Sequence, residues 1–167
     1  MILRDLQLSD APLMLEWMHD KELCRWMHTD FSSKSLDDCL SFIQKSMVDQ
    51  KNLNYAVADD ASEYMGTVSL KHIDTNSGIA EFGIVVRRCA MGKGFSSYAM
   101  KTLFEYGFQC LGLKQIFWCV SKENIRAVRF YSKMGYSTIE NIPNEIADLY
   151  ADVPGLQWYV AEQQREV

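Results

Sequence analysis

Two stretches of the chain bring together residue types that could do chemistry. In the first, Met91-Gly92-Lys93-Gly94-Phe95-Ser96 follows the apolar run Ile84-Val85-Val86 and precedes a segment of helical spacing. Glycines between a strand and a helix let the backbone approach an anion closely, and the first N–H groups of the helix become phosphate donors. Arg87, Arg88 and Lys93 add positive charge beside this loop. By itself such a loop also reads as a surface turn with a solvated basic patch. A Walker loop is excluded, because Gly94 is followed by Phe95 rather than Lys-[ST]. A dinucleotide fingerprint is excluded as well, because Ser96 and Ser97 stand where its third glycine belongs.

The second stretch pairs Asn124 with Tyr131. Seven residues apart on a helix, they project on nearly the same face. Lys122, Arg126, Arg129 and Lys133 recur at spacings of four, three and four, a basic stripe beside that face. Taken alone, the stripe reads as a solvated surface and Tyr131 as a core tyrosine. Glu81 lies on the strand leading toward the glycine loop, as a candidate base or a solvated strand residue. His28 and His72 are of a residue type that ordinarily titrates near ~6.5, but no spacing ties them to either stretch.

The elements that must position these residues follow from periodicity. Residues 2–8 alternate as a strand. Ser9 or Asp10 can cap a helix from Pro12 through Met18, and an amphipathic segment follows over Glu22–Met27. Ser35 with Asp38 forms a capping-box pattern before Leu36, Leu40, Ile43 and Met47. The period then switches to two. Leu53–Val57, a strand around Val68 and Leu70, and Ile79–Val86 are joined by short turns, which predicts an antiparallel meander. A helix from Phe95 closes near Gly112. Ile116–Val120, apolar on both faces, reads as a buried strand that a right-handed crossover sets parallel to Ile79–Val86. A helix over 123–133, a strand Tyr136–Ile139 and a last strand Leu156–Ala161 complete an α+β pattern, one mixed sheet flanked by helices.

Composition bounds the class. The 167 residues carry 17 Lys+Arg and 22 Asp+Glu, a formal charge of 17 − 22 = −5. One domain over 1–167 is expected, since domains hold roughly 100–200 residues. At 48% hydrophobic the chain has material for a core, and its acidity speaks against a general nucleic-acid binder. No apolar run approaches the ~18 residues of a spanning helix, so no membrane association and a cytoplasmic location are expected. Five cysteines without a C-x-x-C pair, and three histidines without H-x-x-x-H, argue against zinc. Most of these thiols are expected in the core.

Together, the two stretches resemble the GNAT superfamily of acetyl-CoA-dependent N-acyltransferases. That family shows an [QR]-x-x-G-x-[GA] loop followed by N-x-x-A-x-x-x-Y-x-x-x-G-[FY]. The second pattern is matched at every fixed position by Asn124, Ala127, Tyr131, Gly135 and Tyr136. The loop departs from the first at Met91 and Ser96, while Gly94, and Gly92 beside it, preserve a backbone cradle. The resemblance implies a V-shaped, seven-stranded sheet. Acetyl-CoA would be the co-substrate, its pantetheine arm pairing with Ile84, Val85 and Val86 and its pyrophosphate resting on the N–H groups of 92–96. It further implies Tyr131 as the acid protonating the departing sulfur, Asn124 and Arg129 as cofactor contacts, Val85 N–H as an oxyanion donor and Glu81 as a base acting through water.

The acyl acceptor, a primary amine, is expected against the first two helices, rich in Trp17, Met18, Trp26 and Met27. The E-W-x-x-D-x-E-x-x-x-W-M stretch there is similar to two branches of the family. One acetylates amino groups of nucleotide-linked sugars, and the other acetylates N-termini of ribosomal proteins. The amino sugar is the favoured reading, the protein N-terminus the runner-up, and a non-catalytic acyl-CoA-binding module a third. A homodimer paired through Leu156–Ala161, taken as an edge strand, is a further expectation.

Overall fold

The computed structural model describes residues 1–163. Strand β1 (Ile2–Asp5) leads through a 3-10 turn into helix α1 (Ala11–Met18), which has Pro12 in its first turn where a missing N–H costs nothing. Asp10 does not cap α1 with its side chain. Its buried carboxylate instead accepts from Gln7 N–H at 2.9 Å and from both terminal nitrogens of Arg4 at 2.8 Å. The amphipathic segment expected over Glu22–Met27 is a single turn, α2 (Lys21–Cys24), capped by the Asp20 carboxylate. Helix α3 (Leu36–Ser46) begins on the predicted capping box: Asp38 N–H donates to Ser35 Oγ at 3.2 Å, and Ser35 N–H to Asp38 Oδ2 at 2.8 Å.

Strands β2 (Leu53–Ala58), β3 (Tyr64–Asp74) and β4 (Ile79–Val86) form the antiparallel meander. Asp59 and Asp74 close its turns by accepting backbone N–H groups two residues on. Helix α4 (Phe95–Gln109) crosses over to β5 (Gln115–Ser121), which pairs parallel to β4. The helix stops at Gln109, short of Gly112, where the sequence placed its end. Helix α5 (Ile125–Lys133), a two-residue strand β6 (Thr138–Ile139), helix α6 (Asn144–Ala147), a 3-10 turn Asp148–Tyr150 and β7 (Leu156–Glu162) follow.

The sheet runs β1-β2-β3-β4-β5-β7-β6, the mixed seven-stranded arrangement expected. Two expectations need correction. β7 is not an edge strand: it lies between β5 and β6, pairing with β5 along its length and with β6 at Trp158 and Tyr159. The cysteines divide differently as well, with Cys39 buried, Cys24 and Cys119 half-buried, and Cys89 and Cys110 exposed.

Alternation along the strands builds a core on each face of the sheet. Val57 joins Val68 and Leu70 under α4, which contributes Phe95, Ala99, Met100, Leu103 and Phe104 at helical spacing. Ala56, one residue before, faces the other way with Tyr64 under α1 and α3. Burial of such side chains at ~1.5–3 kcal/mol each supplies the driving force. β4 and β5 pair only over Ile79–Glu81 and Gln115–Phe117, whereas β4 stays on β3 to Val86. Past Glu81 the sheet therefore opens, and the open mouth positions the site.

Candidate active site

Along Ile84–Val86, β4 has a strand on one side only, so alternate N–H and C=O groups face an unfilled edge. An extended ligand bearing amides can pair there as a strand would. At the end of this edge, Gly92 and Gly94 adopt left-handed φ of 74° and 88°, a conformation that glycine reaches without the steric cost of a Cβ. Gly94 starts α4 without a side-chain cap. Within the loop, the N–H of Met91 is bonded to Arg88 O at 3.2 Å and that of Lys93 to Ala90 O at 3.3 Å. The N–H groups of Gly92, Gly94, Phe95 and Ser96 have no partner among the described residues, which leaves an anion cradle at the positive end of a 15-residue helix.

The neighbouring arginines do not serve this cradle. Arg87 is buried, with Nε 3.0 Å from Glu16 Oε1, and its Nη1 donates to Glu63 at 2.8 Å and to the Tyr64 carbonyl at 3.0 Å. Arg88 is paired with Asp20 at 2.6 Å. Their charges tie β4 and the loop to α1 and α2, so Lys93 is the cation left beside the glycines.

A cavity of about 260 Å³ runs along the open edge. Ile84, Val85, Val86, Met91, Ser96, Asn124 and Tyr131 line it, seven of the residues selected from sequence. Phe95 points into the core, Lys93 is exposed, and Arg129 is exposed and does not line this cavity. Arg126, one turn earlier on the same stripe, lines the cavity in its place. The sequence offered four cations at helical spacing, and only the packing angle of α5 selects among them. Asn124 is the N-cap of α5: its Oδ1 accepts from Ala127 N–H at 3.2 Å, leaving its amide NH₂ for a ligand.

Tyr131 sits where this cavity meets a second one of about 320 Å³. Its ring is held between Trp118 at 5.3 Å and Tyr159 at 5.2 Å, and its hydroxyl has no hydrogen bond among the described residues. Burial, then the neighbouring Tyr159 and Cys119, push its phenol well above the ordinary tyrosine value. The phenol is therefore neutral and proton-bearing at neutral pH.

Glu81 lines the second cavity and is 2% exposed, so it is not a solvated strand residue. Its Oε1 accepts from Lys71 Nζ at 2.7 Å and from the Tyr150 hydroxyl. Burial and this contact raise the Tyr150 phenol. Cys119, across from Glu81, is pushed up to about 12 by burial and by the glutamate's charge. The His28 ring packs edge-on against Tyr150 at 5.4 Å, and His72 Nε2 lies 3.6 Å from Glu81 Oε2. Sequence reasoning named both histidines without placing them and missed Lys71 and Tyr150. Lys71 pairs with Glu81 across the β3–β4 ladder, a register the alternation could have suggested, but nothing local to Tyr150 signals that its turn folds back over the sheet.

A third cavity of about 550 Å³ lies under α1 and α3 and shares Met27, Phe31, Lys71, Gly83 and Ile84 with the second. Trp17, Met18 and Met27 of the first two helices line it, while Trp26 lines the other two. Trp17 is also core, its Nε1 donating to the Tyr64 hydroxyl at 2.9 Å. Among the described residues no group of three or more His, Cys, Asp or Glu is placed to hold a metal, and no helix is long and apolar enough to cross a membrane.

Comparison with known proteins agrees with this geometry. The acetyltransferase (GNAT) domain family matches residues 1–137. A relative in Bacillus licheniformis, "Uncharacterized N-acetyltransferase p20", is 31% identical over 137 residues, 80% of this chain and 77% of its own. The spermidine N(1)-acetyltransferase of Escherichia coli K12 is 34% identical over 101 residues, 60% of this chain and 54% of that protein. The crystal structure of spermidine N-acetyltransferase from Vibrio cholerae in complex with CoA and spermine superimposes with a TM-score of 0.80 at 22% identity, covering 97% of this chain and 95% of that one. With its matched motif, its split sheet and its glycine cradle, the chain belongs to the GNAT family of N-acetyltransferases.

Proposed function

We propose that residues 1–167 form one N-acetyltransferase domain that moves an acetyl group from acetyl-CoA to the primary amine of a nucleotide-linked amino sugar. The observation that carries this reading is the junction at Tyr131, where the open edge of β4 meets the cavity containing Glu81. Acetyl-CoA supplies an activated acyl group as a thioester. The cradle of Gly92, Gly94, Phe95 and Ser96 N–H groups suits its pyrophosphate, and the edge of Ile84–Val86 suits its amide-bearing arm. Val85 stands opposite Thr67, in phase with the bond from Arg87 N–H to the Met65 carbonyl, so its N–H is turned toward β3. The N–H of Ile84 or Val86, which faces the open edge, serves as the oxyanion donor in its place, and the NH₂ of Asn124 orients what binds beside it. Tyr131 holds the proton that a departing sulfur needs, and Glu81 receives the proton that an ammonium must lose before its nitrogen can attack.

Charge supports the choice of acceptor. The third cavity carries Lys34, Lys45 and Lys71 against Asp38 alone. Lys71 is neutralised by Glu81, and Asp38, held below the usual carboxylate range by the Ser35 hydrogen bonds and by Lys34, stays charged. Lys34 and Lys45 against Asp38 thus leave an excess of one positive charge for an anionic tail. The names of the relatives favour a second reading, spermidine, but a polycation meets that net positive wall there.

Thiol release measured with a nucleotide-linked amino sugar, spermidine and N-terminal peptides separates these readings. The amino sugar is expected to give the highest kcat/KM. The pair Lys34→Glu and Lys45→Glu should lower it by about tenfold or more while raising turnover of spermidine. Spermidine as the better substrate of the parent enzyme would overturn the anionic acceptor and leave the acetyltransferase intact.

A further inference from the structure

Glu81 is satisfied on one side only. Lys71 and Tyr150 saturate Oε1, whereas Oε2 is buried without a hydrogen-bond partner among the described residues. A buried carboxylate oxygen left unpaired costs roughly 1–3 kcal/mol or more, so it calls for an explanation. The one side chain aimed at it is His72, with Nε2 3.6 Å from Oε2, just beyond direct hydrogen-bonding distance. This histidine has a left-handed φ of 51°, and the β3–β4 register shifts between Lys71 and Asp74. A bulge re-aims side chains in this way, and a non-glycine residue in the left-handed region carries strain of order 1–2 kcal/mol. Asn52 fixes the distortion by accepting from His72 N–H at 3.1 Å. The imidazole is 49% exposed and the carboxylate 3%, and His72 does not line the cavity that Glu81 faces. The ring therefore reaches the carboxylate from outside that cavity.

We propose that His72 is the proton outlet of Glu81, a positioning residue beside Oε2 that passes its proton to solvent. The inference rests on the acetyltransfer reading above. The acceptor's ammonium gives one proton to the Glu81 carboxylate, leaving a neutral amine and a carboxylic acid. The acid gives a proton from Oε2 to His72 Nε2 and becomes a carboxylate again, and the imidazolium releases a proton from its other nitrogen to water. The second proton, lost by the nitrogen as the amide forms, restores Tyr131 after it has protonated the sulfur, and Glu81 is ready for the next amine. The charged and titratable groups around the pair are Lys71 and Tyr150, which bond Oε1, with Cys119 and His28 beside them.

His72→Asn is the informative variant, because asparagine tolerates the left-handed backbone while lacking a basic ring. Its kcat is expected to fall by about 10²-fold with an unchanged KM for acetyl-CoA, and added imidazole should restore much of the rate. A purely structural role would give a loss that imidazole does not rescue, and that result, or an unchanged kcat, overturns the proposal. A second readout needs no turnover. In the unliganded protein the ring ¹⁵N resonances of His72 should move in Glu81→Gln relative to the parent, and identical spectra overturn the pairing. Moved resonances in a parent that transfers no acetyl group would support the pairing and sink the acetyltransfer reading instead.

Discussion

Tyr131→Phe is expected to lower kcat by about 10²–10³-fold while leaving acetyl-CoA affinity within about threefold. The substitution removes one oxygen and keeps the ring between Trp118 and Tyr159. Because that hydroxyl has no hydrogen bond among the described residues, its loss strands no partner, and stability should change by less than about 0.5 kcal/mol. The effect on rate thus separates from any effect on folding. The sign of the pH dependence follows from the raised phenol: a group held above its ordinary value keeps its proton to higher pH. The parent enzyme should show no loss of rate from Tyr131 below the ordinary tyrosine value of about 10. Steady-state thiol release from pH 6 to 10, with a thermal melt of each protein, checks both statements. Undiminished transfer by Tyr131→Phe would make this residue a core tyrosine and nothing more.

Gly66→Ala is expected to be the most damaging small substitution in the sheet. A Cβ at this position of β3 would lie 2.2 Å from the Val85 carbonyl oxygen and 2.8 Å from Val86 Cα. Both are backbone atoms of the neighbouring strand, which cannot swing aside as a side chain can. Overpacking of this kind costs about 3 kcal/mol or more, which lowers the melting midpoint of a chain this size by roughly 6–12 °C. The atoms that must move belong to the open edge of β4, so acetyl-CoA binding should weaken as well. Gly83→Ala is the control: its Cβ meets only the flexible end of Lys71, at 3.3 Å, and should cost less than about 1 kcal/mol. Urea denaturation of the two variants makes the comparison. A Gly66→Ala protein as stable as Gly83→Ala would mean that β3 and β4 do not approach as described.

Much of this arrangement was legible because it is local. The capping box of Ser35 and Asp38, the alternation over Ile79–Val86, and the glycine loop before Phe95 each depend on neighbours within a few residues, and each forms where the sequence places it. The motif from Asn124 to Tyr136 identified the family for the same reason. What escaped depends on contacts far apart in sequence. Arg87 and Arg88 read as ligand cations until α1 and α2 fold against them and supply Glu16 and Asp20. Arg129 and Arg126 are equivalent on a helical wheel, and only the packing of α5 distinguishes them. Alternation predicts the strand ending at Ile139 but not that it pairs with Leu156–Ala161, so β7 reads as an edge until β6 folds onto it. Tyr150 reaches Glu81 across 69 positions of sequence, and His72 reaches it only through a bulge that no periodicity announces.

The most direct test of the central claim, that the split sheet and glycine loop form an acetyl-CoA site, is a thermal melt with and without acetyl-CoA, with free CoA and ATP as controls. Ligand at about 100 times its dissociation constant adds ~2.7 kcal/mol, which for a chain of ~150–250 residues raises the midpoint by roughly 5–10 °C. A rise of that size with acetyl-CoA and none with ATP is the predicted result. An unchanged midpoint at saturating acetyl-CoA would contradict the cradle at Gly92 and Gly94 and the acetyl-transfer account built on it.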